Sequence, residues 1–421
     1  MRCSVTRPAA FVTVAVLALF GCGQPSPSPV EQPTTTPSAP IAEPEAGVVE
    51  PVAAPAEQAV PVEETPPGSP ETAAPETPAP AASPEAELPA LEAGQFADAA
   101  VEAAVRQAIG KPSGPIMAED LTGGKLLSLA VFTSKVKDLR GIEYCQDLTS
   151  LDLNANSISD LRPLAGLSKL EVLDLRNNEI RDINPLRGLV GLERLMLDGN
   201  QITDLSPIAG LTKIQILTIY RNDLSSIEAL ATMTQMTTLR ASNNKIVSLR
   251  PLEKLTNLSS LVLSYNRILD ISPLAGMKQL TLLYLDNNQI QDVRPLAGLT
   301  RLTRLNLRYN SVYGREKLKD ISPLAGLVNL VSLDLSRNEL VDIDAVASMI
   351  HLEHLDVSRN RIRDVSALVA NEGIGIGTKV DLQENTFLSD KALDEDIPAL
   401  LGRGVYVAFR DTRTAMPVHQ Q

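Results

Sequence analysis

Leu280-Thr281-Leu282-Leu283-Tyr284-Leu285-Asp286-Asn287-Asn288-Gln289-Ile290 alternates core and solvent positions with the two-residue period of a short strand. It runs on into Asp292-Val293-Arg294-Pro295-Leu296-Ala297-Gly298-Leu299, where a proline behind a polar residue marks the start of a helical turn. The same proline returns at Pro163, Pro185, Pro207, Pro251, Pro273 and Pro323. Few residues remain before the next strand must begin, so the expected helical element is a short 3₁₀ turn.

Working outward, the pattern repeats. Asn156, Asn178, Asn200, Asn222, Asn244, Asn266, Asn288 and Asn310 stand 22 residues apart, and the column continues to Asn338 after a step of 28, Asn360 after 22 and Asn385 after 25. Periods of this length belong to solenoids, in which one unit cannot bury its apolar face but a stack can. The Leu and Ile columns are therefore the expected core. The Asn column is expected to be an internal ladder, since a buried amide needs hydrogen-bond partners. A third column, Asp160, Asp182, Asp204, Asp270, Asp292, Asp320, Asp342 and Asp364, falls in the turn before each short helix and is read as structural.

With the Leu, Asn, Ile, Asp and Pro-Leu columns recurring together, residues 126 to 385 resemble internalin-type 22-residue leucine-rich repeats, counted as about eleven strands. The resemblance implies an α/β fold class, a right-handed curved solenoid with a parallel sheet on its concave face and short 3₁₀ turns on the convex side. It also implies a helical N-terminal cap over residues 96 to 125, with Phe96, Val101, Val105 and Ile109 near one face of a helix from Asp98 to Ile109. Residues 386 to 421 are read as a C-terminal cap and tail. A helix begins there at Leu388-Ser389-Asp390, is interrupted at Pro398, and leads through Gly402-Arg403-Gly404 to Val405-Tyr406-Val407-Ala408-Phe409, which would cover the last repeat.

The chain's first residues have a different character. Residues 1 to 21 carry a basic start (Arg2, Arg7) and an apolar stretch from Ala9 to Phe20, too short to span a bilayer, and read as a signal peptide. Leu19-Phe20-Gly21-Cys22 resembles the bacterial lipobox, which makes Cys22 the expected lipidation site and the chain a lipoprotein. Gly23 follows where the inner-membrane retention signal has Asp, so the outer membrane is the expected address in a Gram-negative cell. From residue 22 to residue 95 the chain holds 18 of its 30 prolines and 12 Glu, with no Lys, Arg, Asp or aromatic residue. Such a segment cannot bury enough apolar surface to offset its ordering entropy and is expected to be a disordered tether.

Those 12 Glu dominate the electrostatics. Setting them aside together with Arg2 and Arg7 brings the formal charge from −13 to −3. The acidic balance therefore says nothing about the partner of the folded part, and the lack of any basic run argues against nucleic acid. Of the three cysteines, Cys3 lies in the signal segment, Cys22 is the anchor, and Cys145 occupies a Leu column, so no disulfide framework is available and Cys145 is read as core.

Catalytic signatures are lacking: there is no GxSxG, HExxH, P-loop or dinucleotide fingerprint. His351 and His354 are three apart, which on a strand puts them on opposite sides and prevents joint metal ligation. The chain is accordingly expected to be a binding protein, not an enzyme, with no cofactor and no metal. Counting from the first Leu of each unit, positions three, five and seven face outward. In the middle repeats they include Arg194, Met196, Ile216, Tyr220, Arg240, Val262, Leu282, Tyr284, Arg304 and Arg308, with Tyr265 and Tyr309 at position eight. Four of the chain's seven Tyr fall in this region, a mixture typical of protein-interface cores.

On either side, position five carries Asp152 and Asp174, then Asp334, Asp356 and Asp381. One carboxylate per strand supplies too few oxygens for Ca²⁺. Six extra residues enlarge the unit around Tyr313-Gly314-Arg315-Glu316-Lys317-Leu318-Lys319, either a tolerated insertion or a loop beside the binding face. The partner these residues point to is a protein. A carbohydrate or cell-wall ligand is the alternative, weakened by the absence of Trp. Contact with a membrane is expected only through the lipid anchor.

Overall fold

The structure is a computed structural model that describes residue 92, residues 94–131, 135–310 and 317–411, and residue 413. The expected signal peptide, Cys22 and nearly all of the Pro/Glu-rich segment lie outside the described residues, as do residues 311–316 of the enlarged unit. Thirteen three-residue strands form one sheet in strict sequence order, from β1 (Ser128–Ala130) to β13 (Tyr406–Ala408), with every neighbouring pair parallel. Between consecutive strands the chain returns through a 3₁₀ turn of three to five residues, as in Arg294–Leu296, except before the last two strands, where a short α-helix, α2 (Ser366–Ala370), and then a longer helical segment over residues 392–402 take its place. This is a leucine-rich-repeat solenoid.

Its core is one column per repeat position. The middle residue of each of the first twelve strands, such as Leu151, Leu217, Leu283 or Leu333, is at most 3% exposed, and Val407 in the last is half-buried, while both flanking residues face outward. Burying a Leu fully contributes roughly 1.5–3 kcal/mol, so the stacked columns supply most of the cohesion. Register is exact across the enlarged unit: Arg304 pairs with Ser332 although 28 residues separate them. The extra residues are therefore accommodated between two strands without shifting the sheet.

The Asn column forms a continuous ladder. Asn178 Nδ2 donates to Leu153 O (3.0 Å) and Leu175 O (3.1 Å), and its Oδ1 accepts from Ile158 N (3.0 Å). Each amide thus ties its own repeat to the one before. Across the enlarged unit the bracket persists, with Asn338 Oδ1 accepting from Asn310 N and Asn338 Nδ2 donating to Leu307 O, both at 3.0 Å. The Asp column caps the 3₁₀ turns: Asp204 and Asp320 each accept the N–H two residues on at 2.8 Å, while Ser226 and Ser248, which stand in the same column, make the bond at 3.3 Å.

Twelve strands lie between residues 126 and 385, one more than the Asn column suggests. The extra strand is β1, whose unit has Ser134 where the others have Asn. At the N-terminal end, helix α1 (Ala99–Ala108) starts at Asp98, which accepts the Ala100 N–H at 2.8 Å, and buries Val101 and Val105 against the first repeat. Gly141 makes that approach possible: its φ is +104°, and a Cβ there would stand 2.2 Å from Gln95 O.

The C-terminal end corrects one expectation. Pro398 does not interrupt the helix but sits in the first turn of α3 (Ile397–Gly402), which follows directly on a π-helical turn, Ala392–Asp396. The π turn shifts the bonding so that Ile397 N–H reaches Ala392 O, and the next residue is one that needs no donor. β13 then pairs with β12 (Lys379–Asp381), Val380 opposite Val407.

Candidate functional site

The outward positions of the middle strands make a single face. Arg194, Ile216, Leu282 and Arg304 open β4 (Arg194–Met196), β5 (Ile216–Thr218), β8 (Leu282–Tyr284) and β9 (Arg304–Asn306). Met196, Arg240, Val262 and Tyr284 close β4, β6 (Thr238–Arg240), β7 (Ser260–Val262) and β8. Register places them side by side, Arg240 next to Val262 and Val262 next to Tyr284. Arg194, Arg240 and Arg304 are exposed, whereas Met196, Ile216, Val262, Leu282, Tyr284 and Arg308 are half-buried by their cross-strand neighbours.

Tyr220 and Arg308 come two residues after their strands, and Tyr220 is 42% exposed. Tyr265 and Tyr309 sit one residue further, where the chain turns off the sheet, and have left-handed backbones with φ of 55° and 50°. Their rings are 58% and 41% exposed. Lys317 Nζ lies 5.8 Å from the centre of the Tyr309 ring, a cation–π contact that joins the end of the enlarged unit to this rim.

Charge is distributed unevenly. Toward the N-terminal end, Arg176 is held by Asp174 through three side-chain bonds of 2.5–2.9 Å, which holds the guanidinium pKa above its ordinary value. Toward the C-terminal end, Asp334, Asp356 and Asp381 stand in register on β10 (Ser332–Asp334), β11 (His354–Asp356) and β12, lining a shallow hollow of about 370 Å³ with His354, Lys379 and Tyr406. Burial pushes the Asp334 and Asp381 carboxyls up, and the neighbouring Asp356 adds to both shifts.

In the middle there are two carboxylates, and both are occupied. Asp198 accepts from Thr218 Oγ1 (2.7 Å) and Tyr220 N (2.6 Å), with burial pushing its pKa up; Asp286 accepts from Ser264 Oγ and from Asn287 Nδ2 (2.8 Å). By contrast, Arg194, Arg240 and Arg304 have no ion pair among the described residues. Arg221 is a fourth such cation that the outward-position count passed over. It is exposed at position eight with φ 53°, in the column that already held Tyr265 and Tyr309, so reading that column through would have found it.

The two histidines do not converge. His354 opens β11 on the outward face beside Ser332 and Lys379, and His351 lies at the preceding turn near Arg301 and Glu353. Among the described residues no group of three or more His, Cys, Asp or Glu is arranged to hold a metal ion.

Comparison with known proteins agrees with this architecture. The family described as leucine rich repeat matches residues 146–202, and leucine rich repeats in two copies match residues 234–276, 278–326 and 328–370. An internalin of Listeria monocytogenes, known from its crystal structure, is 35% identical, covering 76% of this chain and 92% of that one with a TM-score of 0.69. The chain belongs to the internalin-like family of leucine-rich-repeat proteins.

A leucine-rich-repeat protein of Leptospira interrogans is 24% identical over 68% of this chain and 74% of its own, TM-score 0.61. The plant peptide hormone receptor RGFR1, in complex with RGF2, shares 21% identity over 70% of this chain and 54% of its own, TM-score 0.53. These two show the fold alone. No curated protein matches the chain by sequence. Folds of this type commonly serve as scaffolds for protein binding and are typically non-enzymatic.

Proposed function

We propose that this protein is a lipid-anchored module of the bacterial cell envelope that binds a protein partner through the middle of its open sheet face. The observation that carries the reading is the one face on which Tyr220, Tyr284, Met196, Val262 and the unpaired Arg240 stand together, bounded by acidic repeats at both ends. Aromatic and Arg side chains around a desolvated centre are the residues that carry most binding energy in protein interfaces. Tyr220 follows β5 by two residues and Tyr284 closes β8, three strand steps of ~4.8 Å apart, a span of about 14 Å that one protein element covers.

The test is Tyr220→Ala combined with Tyr284→Ala. Capture of the native partner from envelope extracts should weaken at least tenfold while the melting curve stays nearly unchanged. Asp152→Ala with Asp381→Ala, at the ends of the same face, should weaken capture much less. Unchanged affinity in the tyrosine pair overturns the reading, and retention by purified peptidoglycan in place of a protein band favours a cell-wall ligand. The anchor rests on Leu19-Phe20-Gly21-Cys22, and Cys22→Ser should move the protein from the detergent phase to the aqueous phase. Two-signal or acyl anchoring gains about 0.8 kcal/mol per buried CH₂, which no weak surface contact replaces.

A further inference from the structure

The middle of the face carries more positive charge than its own carboxylates answer. Arg194, Arg240 and Arg304 project from β4, β6 and β9 with no ion pair among the described residues, while the two carboxylates between them, Asp198 and Asp286, spend their oxygens on Thr218, Tyr220, Ser264 and Asn287. The adjoining rim is neutral as well. Thr237, Ser259, Thr281 and Thr303 donate their hydroxyls to the carbonyl of the preceding repeat, and acidic residues stand in that column at Glu171, Glu193 and Glu353, outside this stretch. Elsewhere on the face Arg176 pairs with Asp174 and Arg359 with Glu384.

We infer that this face receives an acidic protein segment in extended conformation, laid across the strands from β4 to β9, with three carboxylates meeting Arg194, Arg240 and Arg304. The inference rests on the protein-binding reading above and specifies its chemistry. β4 to β6 is two strand steps, about 10 Å, and β6 to β9 is three, about 14 Å. Arg240 closes its strand whereas Arg194 and Arg304 open theirs, an added offset of about 7 Å along the strands, and an extended chain advances roughly 3.3 Å per residue with its side chains on one face only at even spacing, so the carboxylates fall about four residues to either side of the middle one. The intervening ligand side chains lie over Val262, Leu282 and Tyr284, which favours apolar or aromatic residues there. Arg–carboxylate pairs, being frequently bidentate, give such a segment orientation as well as attraction. Acidic repeats on both sides, from Asp174 back to Asp152 and from Asp334 on to Asp381, repel the same segment and confine it to the middle.

The test uses the full chain and a fluorescein-labelled ten-residue peptide with glutamates at its first, fifth and ninth positions and aromatic residues between, read by fluorescence polarisation. Three comparison probes are the same peptide with glutamine for glutamate, a peptide of equal composition with the three glutamates contiguous, and inorganic polyphosphate. The spaced glutamate peptide should bind at least tenfold tighter than the other two peptides, and the preference should vanish in the triple variant Arg194→Gln, Arg240→Gln, Arg304→Gln. Charge reversal gives a second arm. Arg240→Glu should lose the peptide and regain binding to a version with lysine at its fifth position.

Equal binding of the glutamine or the contiguous peptide overturns the proposal. So does a preference that survives in the triple variant, or polyphosphate binding as tightly with the same dependence on the three arginines. If the tyrosine pair abolishes capture of the native partner while no acidic preference is found, the face binds protein and the acidic segment alone is refuted. If the spaced peptide binds as expected while the tyrosine pair leaves the native partner untouched, the tyrosine-centred reading fails instead.

Discussion

The Asn288 side chain brackets Ile268 from the repeat before: its Oδ1 accepts the Ile268 N–H at 3.0 Å while its Nδ2 donates to Leu263 O (3.0 Å) and Leu285 O (3.1 Å). With a further bond to Asp286 O (3.3 Å), one amide, 2% exposed, meets four backbone groups that turn away from the sheet. Asn288→Ala orphans the Ile268 N–H, while Leu263 O and Leu285 O keep the amides of Asn266 and Asn310, and an unmet buried polar group costs about 1–3 kcal/mol. The expected loss is about 1–3 kcal/mol in urea-induced unfolding, with native-state hydrogen exchange faster at Ile268. A loss under about 1 kcal/mol would mean that water replaces the amide.

Tyr265 should be stabilised by replacement. Its φ of 55° places an ordinary side chain in the left-handed region, at a cost of roughly 1–2 kcal/mol, and the same turn position holds Asn177, Asn243 and Asn287 at φ of 54–55°. Asn tolerates this conformation because its short polar side chain bonds locally. Tyr265→Asn is therefore expected to raise the unfolding free energy by about 1 kcal/mol, and Asn243→Tyr to lower it by a similar amount. If Tyr265 contributes to partner binding, the stabilised variant captures the partner less well.

Two carboxylates predict opposite pH dependence. The Asp334 carboxyl is pushed up by burial and by Asp356, so the folded chain holds its proton more readily than the unfolded chain, and stability falls as pH rises through the range above the ordinary carboxylate value. Asp334→Asn keeps an oxygen for Ser336 and removes the like-charge pair, and should stabilise at pH 7 by on the order of 0.5 kcal/mol, with no gain below pH ~3.8.

Asp320 is held below its ordinary value by the Ser322 N–H and then the Ser322 hydroxyl, so its contribution is present above the unfolded value and is lost as pH falls through the folded one. Asp320→Ala should cost up to about 1 kcal/mol at pH 7, reduced by its exposure, and less as the pH falls through the folded value. Thermal melts across this range check both signs, and parallel pH profiles for the two variants would refute the assignment.

Cys145 should be chemically silent in the native chain. Its side chain is fully buried, and burial, then Glu143, pushes the thiol up to about 12, leaving almost no thiolate at pH 8. Alkylation followed by mass spectrometry of the Cys145 peptide should show modification only after denaturation. Labelling of the native chain at the rate of a free thiol would place the first repeat in an open state.

Much of the scaffold is legible because each unit is packed against copies of itself. A Leu or Asn at a given column meets the same column one repeat away, so a local pattern carries the long-range contact with it; the bracket of Asn178 on Ile158 recurs as that of Asn288 on Ile268. Legibility ends where a unit departs from its neighbours. β1 lies in a repeat without the Asn, and Pro398 reads as a helix breaker until the π turn before it removes the need for its N–H. On the face, the outward positions are readable from the strand period, but Arg221 belongs to a turn column that the strand period does not reach.

The sequence by itself determined the period, the identity of the buried columns and the parallel stacking of the strands, because these follow from apolar spacing and from the inability of one repeat to bury its own face. Only the tertiary structure decided which outward side chains are free. Arg176 and Arg240 are both outward arginines in the same solenoid, yet Arg176 is gripped by Asp174 and Arg240 stands between Thr218 and Val262 with no carboxylate to pair with. That difference depends on side-chain reach, on neighbours 22 residues away, and on which oxygens have already been taken. Whether a charge is available for a partner is therefore a property of the folded face and not of the column it occupies.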